Sequence, residues 1–422
     1  MMRIAVVGSG VAGLTAAHLL SRRHEVVLLE RAEQLGGHAR TIDVTGADGR
    51  EHAIDTGFIV HNQRTYPNLI RLLGELGVAT RPSDMSMSVR CDGCDLEYAG
   101  AKGVAGALPT LRTATRGDHL ATLVQVKRFH LHARAVLADP ARGDLPLGAM
   151  LDEGGYTEHF RQHFLRPLVA AVWSTPHEIT DDYPARYLLR FLDHHGMLSV
   201  GGSPTWRTVV GGSRRYVEQA ARTVGTVRTG AEVVGVQRDA DGVTLHVAPD
   251  EELRVDALVM ATHADQALKL LDDASDDEHR VLGAWRYTTN QASLHTDTSL
   301  LPRHRRARAS WNTRTETCGD DGGQVRITYD MTRLMGLADE HADERFCVSL
   351  NQDERIDPRT VHDRTVFSHP VYDLTSVSAQ RDLPRLDGVR NTWFCGAYHG
   401  WGFHEDGCAS GVRVARALGV DW

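Results

Sequence analysis

The most constraining feature of the chain lies at its start, where the apolar run Ile4-Ala5-Val6-Val7 leads straight into Gly8-Ser9-Gly10-Val11-Ala12-Gly13. A lone G-x-G-x-x-G spacing is a weak signal, but here a strand-like run precedes it and a helix-like run, Val11 to Arg22, follows it. In that context Gly8 allows a tight turn, Gly10 lets the backbone approach a pyrophosphate, and Gly13 lets the helix pack closely on the strand. The first N–H groups of the helix, from Val11 and Ala12 onward, then face the anion, where the helix dipole also favours negative charge. A second strand, Glu25 to Glu30, completes a βαβ unit and predicts an α/β fold with a Rossmann-like, doubly wound sheet. Glu30 ends that strand. A carboxylate there accepts both ribose hydroxyls and repels a 2′-phosphate, which disfavours NADP.

A second glycine-rich segment occupies the other end of the chain, from Gly396-Ala397-Tyr398-His399-Gly400 to Asp406-Gly407-Cys408-Ala409-Ser410-Gly411. A dinucleotide held by both ends of one polypeptide points to a flavoprotein more than to a soluble-nicotinamide enzyme. At 422 residues there is room for two domains. A net charge of −8 argues against nucleic acid as a partner, because phosphate neutralisation needs a basic surface. The run Arg303 to Arg308 reads as a solvated basic loop. The uncharged stretch Ile4 to Leu20 superficially mimics a signal peptide, but its spaced glycines fit a nucleotide-binding turn better. With no other stretch long and apolar enough to span a bilayer, a cytoplasmic location is expected.

The nucleotide domain is expected from three pieces, residues 1–79, 205–270 and 386–422, with strand candidates Val227 to Val236, Gly242 to Ala248, Ala257 to Ala261 and Thr392 to Cys395. Residues 80–204 and 271–385 are expected to form an inserted α+β substrate domain. Helices are predicted at Leu120 to Leu137 and Tyr156 to Trp173, and strands at Val325 to Tyr329 and Phe346 to Leu350.

After Glu30-Arg31 comes Leu35-Gly36-Gly37-His38-Ala39-Arg40, and at this point the chain resembles the superfamily of FAD proteins that contains monoamine oxidases, phytoene desaturases and protoporphyrinogen oxidases. In that superfamily an arginine is commonest where this chain has His38; His38 or Arg40 is the candidate for a pyrophosphate contact. The resemblance implies that Asp55-Thr56-Gly57-Phe58-Ile59-Val60 passes the flavin, that the Val233 backbone holds the adenine, and that Gly396-Ala397 and Glu405-Asp406-Gly407 surround the ribityl chain and ring. Gly36-Gly37-His38 together with Gly402-Phe403-His404-Glu405-Asp406-Gly407 resembles more closely a bacterial branch. That branch includes fatty-acid double-bond isomerases and flavoproteins associated with cyclopropane-fatty-acid enzymes.

The resemblance implies an FAD-dependent oxidoreductase that takes a hydride from a largely apolar small-molecule or acyl substrate. With no second dinucleotide motif, the electrons go to oxygen or another acceptor. A redox-neutral isomerase of an unsaturated acyl chain and a non-catalytic flavin-binding protein are the alternatives. Candidate catalytic residues are Tyr398 and His404, on the loop expected to meet the ring, and His295 in the second insertion. His404 next to Glu405-Asp406 is a candidate base of raised pKa, or simply a helix cap. Trp173 and Tyr329 are further pocket candidates. The sequence has no lysine after Lys269, which weakens an amine-oxidase reading. Cys395 and Cys408 leave covalent flavin attachment open. No metal is expected: Cys91-Asp92-Gly93-Cys94 reads as a reduced hairpin turn, and His159 and His163 as a polar helix face.

Overall fold

In the computed structural model, which describes all residues except 48, 140–143, 175–178, 199–203, 319–324 and 338–343, the run Arg3–Val7 is the central strand of a five-stranded sheet. Its neighbours are Glu25–Leu29 on one side and Ala257–Met260 on the other, and the edges are Thr226–Arg228 and Thr392–Phe394. Every pairing is parallel. Parallel strands are covered on both faces, which is why they read as unbroken apolar runs. Alternate side chains enter different cores. Ile4, Val6, Val26, Leu28 and Val259 face a helical layer, whereas Ala5, Val7, Val27, Leu29 and Leu258 face the opposite side. The opposite layer includes an antiparallel sheet of Val233–Asp239, Gly242–Val247 and Glu251–Val255. The single strand expected over Val227 to Val236 is thus two strands in two sheets, and Glu251–Val255 was missed because its outward residues are charged.

The helical layer brings the two chain ends together. The helix Val11–Leu20 is buried along its whole length between the parallel sheet and the C-terminal helix His404–Ala417. Such closeness needs small residues. A Cβ on Gly13 would lie 1.9 Å from the Gly8 carbonyl oxygen, and one on Gly411 would lie 2.5 Å from that of Ala12. Between them Thr15 Oγ1 meets Cys408 Sγ at 3.5 Å.

A mixed seven-stranded sheet forms the second layer system, in the order Val361–Val371, Arg286–His295, Cys347–Leu350, Ile327–Asp330, Trp311–Thr315, Met87–Cys91, Leu96–Tyr98. The last two strands come from residues 80–204 and the rest from residues 271–385, so these two stretches share one sheet. Helices Gly117–Ala138 and Glu158–Trp173 lie close to the expected spans, but the second is locally underwound into a π-helical turn at Arg161–Leu165. No helix among the described residues is long and apolar enough to cross a membrane.

Gly411→Val is expected to lower unfolding stability by about 1–3 kcal/mol, because its branched side chain must displace the Ala12 backbone. Denaturant unfolding checks this, and an unchanged midpoint would show that the two terminal helices are not held this closely.

Candidate active site and cofactor cradle

At the carboxyl ends of the parallel strands lies a cavity of about 560 Å³ that receives Gly8–Ala12, Glu30, Gly57-Phe58, Val233 and Gly396–Tyr398. This is where open α/β sheets bind ligands. Gly8 adopts φ +100°, and a Cβ there would press on the Ala261 carbonyl at 2.9 Å. Gly10 is different: a Cβ there would project into open space bordering the cavity, so the packing of the chain itself does not call for a glycine at this position. Gly37, at φ +56°, would place a Cβ 3.3 Å from Gly10 Cα, so the Gly36-Gly37 turn stands directly against the first one.

Glu30 already organises this turn. Its Oε2 accepts from the Ser9 N–H at 2.9 Å and the Ser9 hydroxyl at 2.6 Å, and its Oε1 accepts from the Ala32 N–H at 2.9 Å. Ser9 Oγ in turn accepts from the Gly36 N–H at 3.1 Å. An ionised carboxylate accepts about four hydrogen bonds, so Glu30 retains capacity toward a ribose while it locks the two glycine turns together. Arg31 lines the same end, paired with Glu232 at 3.9 Å, next to Val233.

Several expectations change. His38 borders the cavity, but burial, reinforced by His369 and His263, holds its pKa well below the ordinary value, so the ring is neutral and offers a pyrophosphate no charge. Arg40 is bound twice to Asp363, at 2.5 and 3.1 Å, and so anchors the strand Val361–Val371. The candidate base His404 is neutral as well. Burial pulls its pKa down to about 3; its ring stacks on Phe58 at 3.7 Å, and its Nε2 faces the Tyr216 hydroxyl at 3.1 Å.

The carboxylates beside His404 point elsewhere. Glu405 accepts from the N–H groups of Asn68 and Leu69 at 3.1 and 3.0 Å, at the start of the helix Pro67–Glu75, where the helix dipole favours it. Asp406 accepts from the Phe403 N–H at 2.9 Å. Gly407 packs on Val11, where a Cβ would lie 2.7 Å from Cγ1. None of Glu405, Asp406 and Gly407 lines the cavity; their work is to hold the C-terminal helix in place.

Tyr398 does line the cavity, but burial raises its pKa well above the ordinary value and its ring packs against Trp285 and His399. It is a packing phenol, not a base. His295 lies in the seven-stranded sheet, bonded to Ser349 Oγ at 2.8 Å and to the Asp297 N–H at 3.1 Å, away from the cavity. Cys395 and Cys408 are buried and also stand off the cavity wall, so neither is placed for covalent attachment.

Trp173 and Tyr329, by contrast, form part of the wall, joined by Tyr66, Phe191, Trp206 and Trp311. The sequence gives no sign of Tyr66, Phe191, Trp206 and Trp311, because these four come from four scattered segments that carry no shared motif. Nor does it point to His263, which stacks on Tyr287 at 4.4 Å beside the glycine turn.

Two outcomes are expected. Glu30→Ala removes charge-assisted hydrogen bonds worth about 1.5–3 kcal/mol each, so FAD affinity should fall roughly 10- to 100-fold in a fluorescence titration; unaltered affinity would exclude Glu30 from the ribose site. His61 and His295 are buried and His399 half-buried, and all three are held neutral, with pKa values lowered by desolvation to about 4, 4 and 3. Unfolding lets each protonate at its ordinary value near 6.5, so their stabilisation is complete above that pH and is lost as pH falls toward 4. Each contributes on the order of 1.4 kcal/mol per pH unit in this window, and urea midpoints measured across it should fall accordingly.

The comparisons with known proteins agree with this geometry. The family model described as flavin containing amine oxidoreductase matches residues 11–419. A phytoene dehydrogenase of Streptomyces griseus is 29% identical over 320 residues, which cover 70% of this chain and 60% of that protein. The chain therefore spans about three fifths of that curated relative. Among solved structures, a cyclohexylamine oxidase from Brevibacterium oxydans has the same fold with a TM-score of 0.69 at 16% identity, covering 99% of this chain and 98% of the other. A fatty acid isomerase from P. acnes has the same TM-score and identity, covering 98% of each chain. A family match over nearly the whole sequence, on a fold that joins both chain ends at a dinucleotide cradle, makes this protein a member of the flavin-containing amine oxidoreductases, with FAD as its cofactor.

Proposed function

We propose that this oxidoreductase removes a hydride from a largely apolar, uncharged small molecule or acyl chain. We also propose that residues 1–79, 205–270 and 386–422 act as its FAD-binding domain, and residues 80–204 and 271–385 as its substrate domain. The observation that carries the substrate reading is the distribution of charge on the cavity wall. Among the described lining residues the acids are Glu30 and Glu232 and the fixed cations are Arg31 and Lys269, all at the nucleotide end. The other end is the aromatic wall.

The turn Gly8–Gly13, with Glu30, fits a pyrophosphate and ribose; Val233 fits the adenine; Gly57-Phe58 and Gly396-Ala397 bring backbone toward the ring. Bound FAD supplies the hydride acceptor, so the transfer itself needs no acid or base from the protein. The residues of this chain exclude water and orient the substrate. Tyr66, Phe191, Trp206, Trp311 and Tyr329 present apolar faces, which bind an uncharged chain by burial. His195 and His369 are held by burial near a pKa of about 4, so at neutral pH they offer hydrogen bonds without positive charge. An ammonium ion would enter this wall without a described carboxylate to meet it. That favours a neutral substrate, or an amine in its uncharged form.

The test is anaerobic mixing of the purified holoprotein with neutral polyenes, unsaturated fatty acids and primary amines. Bleaching of the flavin by an apolar substrate is the expected result. Product formed without bleaching would show a redox-neutral isomerase instead, and bleaching by a charged amine alone would overturn the substrate class. Phe191→Ala removes an aromatic face worth about 1.5–3 kcal/mol, so KM for the apolar substrate should rise roughly 10- to 100-fold while the flavin spectrum is retained. An unchanged KM in steady-state kinetics would place the substrate elsewhere.

A further inference from the structure

The close pair Cys91 and Cys94 and the distant His163 and Cys318 come from three separate parts of the chain, yet one ligand atom from each lies within 4.8 Å of all the others. Cys91 Sγ is 3.6 Å from Cys318 Sγ, and Cys94 Sγ is 3.9 Å from His163 Nε2. Tetrahedral zinc, with Zn–S of about 2.3 Å and Zn–N of about 2.0 Å, sets its ligand atoms about 3.5–3.8 Å apart. None of the four residues borders the flavin cavity. We propose that they form a structural Cys3His zinc site that clamps the helical part of the first insertion to the seven-stranded sheet.

The surrounding chain is shaped for this site. Cys91 ends the strand Met87–Cys91, and Cys94 lies on the turn that leads to Leu96–Tyr98. Gly93 inside this Cys-x-x-Cys turn lies against the segment carrying Cys318: a Cβ there would fall 2.9 Å from Thr317 Cα and 3.1 Å from the Cys318 N. His163 sits in the π-helical turn, a distortion often found where a helix must place a ligand, and the Tyr98 hydroxyl fixes that turn by donating to the His163 carbonyl at 2.6 Å. The Arg116 guanidinium donates to the Cys94 carbonyl at 2.7 Å and brings positive charge beside three would-be thiolates. Cys91 and His163 are buried and Cys318 is exposed, so the metal has an entry path. Binding Zn²⁺ exchanges three S–H protons for three Zn–S bonds, and the three protons pass to solvent.

The clamp also reaches the wall of the flavin cavity. The π turn runs directly into Arg166–Trp173, whose last residues, Ala171–Trp173, line it.

Elemental analysis of the holoprotein, grown with added zinc and purified under reducing conditions, should find about one zinc per chain. Cys94→Ser and Cys318→Ser should each lose it while retaining FAD. Because a variant can fail to fold, a second measurement uses the unmodified chain. After chelator treatment, added Co²⁺ should give thiolate charge-transfer and tetrahedral d–d bands that Zn²⁺ abolishes, and the treated protein should melt at lower temperature until Zn²⁺ is restored. Metal-free protein with no cobalt bands, zinc retained by Cys94→Ser, or a Cys91–Cys318 disulfide in mapped peptides of the purified protein would each overturn the proposal.

Discussion

Every feature of the cofactor site depends on the close approach of the first helix, the first strand and the last helix. Gly13 against the Gly8 carbonyl and Gly411 against the Ala12 carbonyl are contacts that no side chain larger than hydrogen permits. They set the distance at which a chain end more than 380 residues away meets the N-terminal turn. Without this contact Gly396-Ala397 would not face Gly8–Gly10, and the cavity would lose the side that the C-terminal segment supplies.

Around that contact the charges follow a consistent logic. Groups that look reactive in the sequence are spent on architecture. Glu30 ties two glycine turns together, Arg40 holds Asp363, Glu405 caps the helix Pro67–Glu75, and Asp406 closes the last helix on itself. The cavity-lining histidines His38 and His404 are half-buried and neutral. A cavity lined this way provides a largely apolar environment with few groups able to exchange protons. That suits hydride transfer to a flavin better than acid–base chemistry carried by the protein.

The inserted layer is built on a different principle. Its sheet joins strands from both insertions, and its helical part meets that sheet beside Cys91, Cys94, His163 and Cys318. The apolar residues it lends to the cavity, such as Trp173, Tyr329 and Trp311, are ordinary core-type residues by composition. Only their placement at the junction of the two layers brings them together on one cavity wall.

The nucleotide half of the protein is legible in local patterns of residues. The run Arg3–Val7, the glycine spacing, Glu30 and the C-terminal glycines are local signals, because turns, strand burial and helix N-termini are decided by neighbouring residues. The direction of a side chain is not such a local property. Whether His404 meets a carboxylate or Phe58, whether His295 reaches the cavity or Ser349, and whether Cys94 finds His163 depend on segments brought together from distant parts of the chain. Those placements follow from long-range packing, which no local pattern encodes and which becomes visible once the chain is folded.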